Sequence, residues 1–329
     1  MINPEAHLNP HLFDEDVEQK PTRDGYGTGI VLAADRNPDV VALTADLKES
    51  TRTEAFANKY PDRFIEVGVA EQGMATIAAG LAEAGKIPFI ASYATFSPGR
   101  NWEQIRTTSA YNNANVKIAG HHAGISVGPD GATHQAIEDI ATMRVMANMK
   151  VMVPCDSIEA EKATLAAAHL HGPVYLRFGR EKTPVMTTKD TPFTPGRALV
   201  MWQGKKPQVV LIGTGSLLFQ ALLAAKELEK QKISSVVLNL HTIKPLDEEA
   251  IVKYAKLCGA VVTIEEHQVH GGLGGVVAEV LARKYPTPVE FIGMQDVFGE
   301  SGQPNELIHK YGMDAEAITK AALKVIKRK

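Results

Sequence analysis

From Arg23 to Arg180 the chain alternates short β-branched runs with longer stretches whose apolar residues recur at threes and fours. The runs VVALTA (Val40 to Ala45), IPFIAS (Ile87 to Ser92), NVKIAG (Asn115 to Gly120), KVMVP (Lys150 to Pro154) and PVYLRF (Pro173 to Phe178) predict strands. The stretches around Ala70 to Ala84, Trp102 to Tyr111, His134 to Met146 and Ile158 to His169 predict helices. Near-continuous apolar strands separated by helices imply a parallel sheet covered on both faces. The run REKTPVMTTKDTPFTPG (Arg180 to Gly196) breaks the pattern with three prolines and little periodicity. The alternation then restarts: PQVVLIG (Pro207 to Gly213), SSVVLNL (Ser234 to Leu240), GAVVTIEE (Gly259 to Glu266) and PVEFIG (Pro288 to Gly293) lie among helical patterns near Leu217 to Lys230, Asp247 to Leu257, Gly274 to Lys284 and Ala315 to Lys327. The expected architecture is therefore α/β, with two consecutive three-layer domains and mostly parallel sheets. A polar tail occupies residues 1–20, the first domain 21–182, a linker 183–196 and the second domain 197–329.

Composition narrows the function classes. A net charge of −3 gives no electrostatic reason to expect nucleic acid or an anionic membrane as partner. The terminal KVIKRK reads as a basic helix end that complements the dipole. Cys155 and Cys258 are too few and too far apart for a disulfide framework or a cysteine zinc site, which suits a reducing compartment; cytoplasm is the expected location. The N-terminal residues carry no apolar h-region, and no run approaches the roughly 18 apolar residues of a membrane span.

Two motifs carry little. GTGS (Gly213 to Ser216) follows a strand, but Leu218 stands where the third glycine of a dinucleotide fingerprint belongs. His267 and His270 have no clear third ligand and read as a loop tightening into a helix. Two others carry more. In FIEVGVAEQGMA (Phe64 to Ala75), Glu71 sits among apolar residues where a strand gives way to a helix. It is either a first-turn acid favoured by the helix dipole or a buried carboxylate with a chemical task. In HHAGISVGPDGATHQAIED (His121 to Asp139), Gly124, Gly128, Pro129 and Gly131 exclude regular structure, so His122, Asp130 and His134 are expected to project from a loop. That loop leaves the carboxyl end of a parallel strand, the edge where open α/β sheets bind ligands.

In order and spacing, ADLKEST (Ala45 to Thr51), EVGVAEQGMA, ATFSPGRNWEQIR (Ala94 to Arg106), GPDGATHQ and RFGR (Arg177 to Arg180) resemble the pyrimidine-binding domain of transketolase. The remaining chain resembles the C-terminal domain of the same family. The resemblance implies thiamine diphosphate as cofactor and transfer of a two-carbon ketol unit between sugar phosphates of the pentose phosphate pathway. It assigns to Glu71 the hydrogen bond to a ring nitrogen of the cofactor's aminopyrimidine, in an apolar setting that raises the carboxyl pKa, and to Phe96 the stacking contact on that ring. The family carries a second aromatic three residues after Phe96; here that position is Gly99, and Trp102 is the expected stand-in. His122 and His134 match substrate histidines, His134 also a proton shuttle, and His121 is the competitor for the first role. Asp130 matches the acid that recognises a sugar hydroxyl, and Arg23, Ser50 and Arg180 the residues that hold the sugar phosphate. Arg177 is expected to be structural.

The family's diphosphate-binding signature, which begins G-D-G and ends in paired asparagines, does not occur in this chain. The resemblance is therefore to the C-terminal subunit of a split transketolase. It implies an N-terminal partner subunit that supplies the diphosphate site and the ligands of Mg2+ or Ca2+, in a heterotetramer of two copies of each chain. This chain itself is expected to provide no metal ligand. Three other readings stay open. A 1-deoxyxylulose-5-phosphate synthase shares the D-G-x-T-H-Q stretch, a 2-oxo-acid dehydrogenase beta subunit shares A-E-Q-G, and a non-catalytic homologue would account for Gly99.

Overall fold

The computed structural model describes all 329 residues. Its strands in chain order are β1 (Gln19–Pro21), β2 (Val40–Thr44), β3 (Phe64–Glu66), β4 (Ile87–Tyr93), β5 (Lys117–His121), β6 (Lys150–Met152), β7 (Val174–Arg177), β8 (Lys182–Pro184), β9 (Leu199–Gln203), β10 (Val209–Gly213), β11 (Ser235–Asn239), β12 (Thr242–Lys244), β13 (Val261–Gln268) and β14 (Val289–Met294). A seven-stranded sheet has the order β12-β6-β7-β5-β4-β2-β3, and a five-stranded sheet the order β14-β13-β10-β11-β9. Each is parallel except for one antiparallel edge strand, β12 in the first and β9 in the second. These are two α/β domains with mostly parallel sheets.

Alternation along the strands explains the layers. In the first sheet Val40, Ala42, Phe89 and Ala91 face a core shared with helices Thr22–Arg36 and Ser157–His169. Val41, Leu43 and Ile90 face the opposite core, together with Met74, Ala75 and Ala78 of helix Glu71–Glu83. That core continues without a break into Val210, Ile212, Val236 and Leu238 of the second sheet, so the two sheets share apolar interior. The far face of the second sheet is covered by helices Leu218–Lys230 and Ala315–Ile326. Ala6, Leu8 and Leu12, from the N-terminal stretch, are buried there as well.

The structure departs from the sequence expectations at identifiable places. Helix Thr22–Arg36 was masked by Gly25, Gly27 and Gly29, which lower helix propensity. A Cβ on Gly25 would lie 1.9 Å from the Ser157 carbonyl oxygen, so close packing on helix Ser157–His169 requires glycine there. The stretch from Trp102 is a short α turn to Gln104 followed by a π-helical turn over Ile105–Ala110. In the predicted helix from His134 to Met146, only Asp139–Arg144 is α-helical. Strand β12 arises in the second half of the chain yet pairs with β6, tying the two units through backbone hydrogen bonds. No helix is long and apolar enough to cross a membrane.

Candidate functional site

The candidate residues gather at the carboxyl edge of the first sheet, where β4 ends at Tyr93 and β5 at His121. Glu71 is the first residue of helix Glu71–Glu83, so the dipole favours its charge. Its side chain is only 1% exposed. The surroundings correct the expectation of an apolar setting. Val69 is 71% exposed and turns away, while Arg100 Nη1 donates to Glu71 Oε2 at 2.6 Å. Asn101 fixes the helix start by donating from Nδ2 to the Glu71 carbonyl at 3.0 Å and to Ser97 Oγ at 3.1 Å. The same Arg100 guanidinium lies over Phe96, 4.7 Å from its ring centroid.

The turn over Phe96 to Asn101 also explains the missing aromatic. A Cβ on Gly99 would meet the Thr95 carbonyl oxygen at 2.1 Å, so this turn cannot carry a side chain at that position. The expectation for Trp102 is corrected in the same place. Its indole donates to the Thr142 carbonyl at 3.1 Å and packs on the shared core. Arg100, not Trp102, lies over Phe96.

Tyr93 organises the histidines, and sequence reasoning missed it. Its ring stacks on His122 with centroids 3.9 Å apart, lies nearly parallel to Phe96 at 5.9 Å, and meets the edge of His134 at 6.2 Å. Its position at the end of β4, three residues before Phe96, was the available signal. His122 does not project from the loop as expected: it is 2% exposed, with φ 53, directly beyond β5. Arg23 Nη1 donates to His122 Nε2 at 2.9 Å and to the Ser50 carbonyl at 3.0 Å. The accepting Nε2 places the ring proton on Nδ1, which has no protein partner. Burial first, and then the charges of Arg23 and Arg180, push the His122 pKa down to about 3, so the ring is neutral at physiological pH. His121 is fully buried, its ring packed against Tyr26 and Phe178.

Asp130 and His134 do lie on the outer part of the loop. Arg180 Nη1 donates to the Val127 carbonyl at 3.0 Å and to Asp130 Oδ1 at 3.2 Å, so the expected hydroxyl-recognising acid and phosphate-holding arginine form one pair. His134 Nδ1 lies 2.9 Å from Thr133 Oγ1, and its ring meets Phe96 edge-on at 5.6 Å. Ser50 contributes its backbone carbonyl to Arg23. The loop is held from the second sheet: Ser126 N donates to Glu266 Oε1 at 2.6 Å, and Gln135 Nε2 donates to the Glu300 carbonyl at 2.9 Å. Thus one edge brings together a buried carboxylate joined through Arg100 to an aromatic face, a stacked histidine, and two arginines able to bind a tetrahedral anion.

Comparison with known proteins places this arrangement. Residues 18–186 match the family model for the transketolase pyrimidine binding domain and residues 196–318 that for the transketolase C-terminal domain. The chain is 42% identical to a putative transketolase C-terminal section of Methanocaldococcus jannaschii, over 94% of this chain and 97% of that protein. It is 39% identical to a 6-deoxy-6-sulfo-D-fructose transketolase subunit of a Clostridium species, over 96% of this chain and 98% of that one. A solved structure described as a split gene transketolase, inactive beta4 tetramer, superposes with a TM-score of 0.87 at 45% identity, over 93% of this chain and 98% of its own. The Glu71, Phe96 and Asp130 to Gln135 segments thus sit within a matched domain, and with both domains matched in order and full-length likeness to split-gene sections, the chain belongs to the transketolase family.

Proposed function

We propose that this chain is the C-terminal subunit of a two-chain, thiamine-diphosphate-dependent transketolase acting on phosphorylated or similarly anionic sugars. The observation that carries this reading is the buried Glu71 carboxylate, joined to the face of Phe96 by one flat group, the Arg100 guanidinium, that touches both. A flat ring whose nitrogen shares a proton with a carboxyl group needs those two contacts, so the residues fit the aminopyrimidine half of the cofactor. The diphosphate and its Mg2+ or Ca2+ fall to an N-terminal partner subunit in this reading. Bound thiamine diphosphate supplies the carbon nucleophile that carries the ketol unit. Glu71 holds the pyrimidine ring nitrogen and exchanges a proton with it through its carboxyl oxygen. His134, beside Phe96, exchanges protons with substrate oxygen, and neutral His122 offers its unpartnered Nδ1–H. Arg180 and Arg23 bind the anionic end, Arg180 by exchanging Asp130 for it. The similarity to a 6-deoxy-6-sulfo-D-fructose transketolase subunit, whose sugar is sulfonated, supports the tetrahedral-anion class over one particular pentose phosphate.

Reconstitution with an N-terminal subunit tests this reading. The pair should convert xylulose 5-phosphate and ribose 5-phosphate to glyceraldehyde 3-phosphate and sedoheptulose 7-phosphate, or perform the same transfer with a sulfonated donor, while each chain alone turns over nothing. Release of carbon dioxide from pyruvate, with transfer of the remaining fragment to glyceraldehyde 3-phosphate, would replace it by a deoxyxylulose-phosphate synthase. In the active complex Arg180→Ala should raise KM for the anionic sugar about 10- to 100-fold with kcat little changed, the cost of losing a charged hydrogen-bond donor. An unaltered KM would remove Arg180 from the anion site.

A further inference from the structure

We propose that Arg100 occupies the aminopyrimidine seat in the partner-free chain and must leave it before the cofactor ring can bind, which makes Arg100 the residue that sets access to the pocket. The inference rests on the cofactor reading above and names a residue to which that reading gives no role.

Three observations converge. The guanidinium is a flat, nitrogen-bearing plane that lies over Phe96 at 4.7 Å and donates to Glu71 Oε2 at 2.6 Å. Those are the two contacts an aminopyrimidine would make, one by stacking and one by hydrogen bond. The remainder of Phe96 is engaged elsewhere: Tyr93 runs alongside it at 5.9 Å with 17° between the planes, and His134 meets it edge-on at 5.6 Å. A ring that both stacks on Phe96 and bonds Glu71 therefore has to take the position of the guanidinium.

The local chain suits a movable side chain. The Arg100 side chain is 45% exposed, and its single side-chain hydrogen bond goes to Glu71. The contact also has a physical purpose before assembly. Glu71 is 1% exposed, and a buried carboxylate without a partner destabilises a fold; a guanidinium drawn from the solvent side compensates that charge until a ring nitrogen sharing a proton with the carboxyl group takes over. Because the pair is reached from solvent, its opening needs no movement of the core.

The test uses the full chain without its partner and the free pyrimidine 4-amino-5-hydroxymethyl-2-methylpyrimidine as probe, with affinity read by calorimetry or saturation-transfer NMR. Arg100→Met should bind the probe at least tenfold more tightly than the wild type. Arg100→Lys should fall between them, since it retains the charge but lacks the plane. Adding Glu71→Gln to Arg100→Met should return affinity to the wild-type level or below. Thermal unfolding of each variant verifies the fold. Equal or weaker binding by a folded Arg100→Met chain, or no binding by either protein, overturns the proposal. Ketol transfer by the wild-type reconstituted complex separates this from the parent reading. An active complex with unchanged probe affinity in Arg100→Met sinks only the role of Arg100, whereas a wild-type complex without transfer sinks the transketolase assignment itself.

Discussion

Glu71→Gln should lower ketol transfer by the assembled enzyme about 10²- to 10⁴-fold while leaving the fold and the subunit contact intact. The substitution keeps side-chain volume and a hydrogen-bonding end, so no cavity opens in helix Glu71–Glu83, and Asn101 still holds the helix start through the Glu71 carbonyl. What disappears is a carboxyl oxygen able to gain and lose a proton against the pyrimidine nitrogen. Arg100 loses its partner, but at 45% exposure it rehydrates instead of remaining as a buried unpaired charge. The loss should therefore fall on kcat, with the thermal midpoint nearly unchanged. Hydrogen–deuterium exchange at the cofactor's reactive carbon reads the same step without substrate. Transfer and exchange within a few-fold of wild type, in a complex that still assembles, would deprive Glu71 of its proposed task.

The fold was legible where burial and periodicity agree. Strands β2, β4, β5, β10, β11 and β13 are apolar runs covered on both faces, and their pattern allowed no other reading. The antiparallel elements β1, β8, β9 and β12 were not legible. β12, for one, pairs with a strand some ninety residues earlier through a choice that is tertiary. In the site, the glycine-rich loop and the acid before a helix announced themselves by conflicting with ordinary structure. Which atoms meet did not. The Arg180–Asp130 pair joins residues 50 apart, and Arg100 reaches Glu71 across 29, so three residues expected to wait for ligands, Glu71, Asp130 and Arg180, already hold partners. Tyr93 falls one residue beyond the strand expected over Ile87 to Ser92, and only the approach of β4 to β5 places it on His122.

The largest loss of stability from a single substitution is expected at Asp139, which ties the end of the loop to β7 through Arg177 and Tyr175. Arg177 Nε donates to Asp139 Oδ2 at 2.7 Å, Tyr175 Oη donates to the same oxygen at 2.6 Å, and both members of the ion pair are buried, at 7% and 2% exposure. Burial alone would raise the Asp139 pKa, but the charge of Arg177 beside it, with His267 and the bonds from Arg177 and Tyr175, holds it below the ordinary 3.8. Its contribution is thus complete at neutral pH and is lost only as pH falls through and below that value. Asp139→Ala strands the Arg177 guanidinium with backbone partners alone, the carbonyls of Ala136 and Glu266. Removing one member of a buried pair costs about 3 to 5 kcal/mol, which for a domain of this size lowers the unfolding midpoint by about 6 to 20 °C. The Ala136 carbonyl follows directly on Gln135, so the loop bearing Asp130 and His134 should loosen and KM rise as well. Because the cost comes from an uncompensated charge, the double variant Asp139→Leu with Arg177→Met should recover most of the midpoint, though not the KM. Scanning calorimetry of Asp139→Ala and of the double variant decides it. A single Asp139→Ala chain within a degree or two of wild type would show that the pair contributes nothing to stability, and a double variant no better than the single would locate the cost in packing instead of charge.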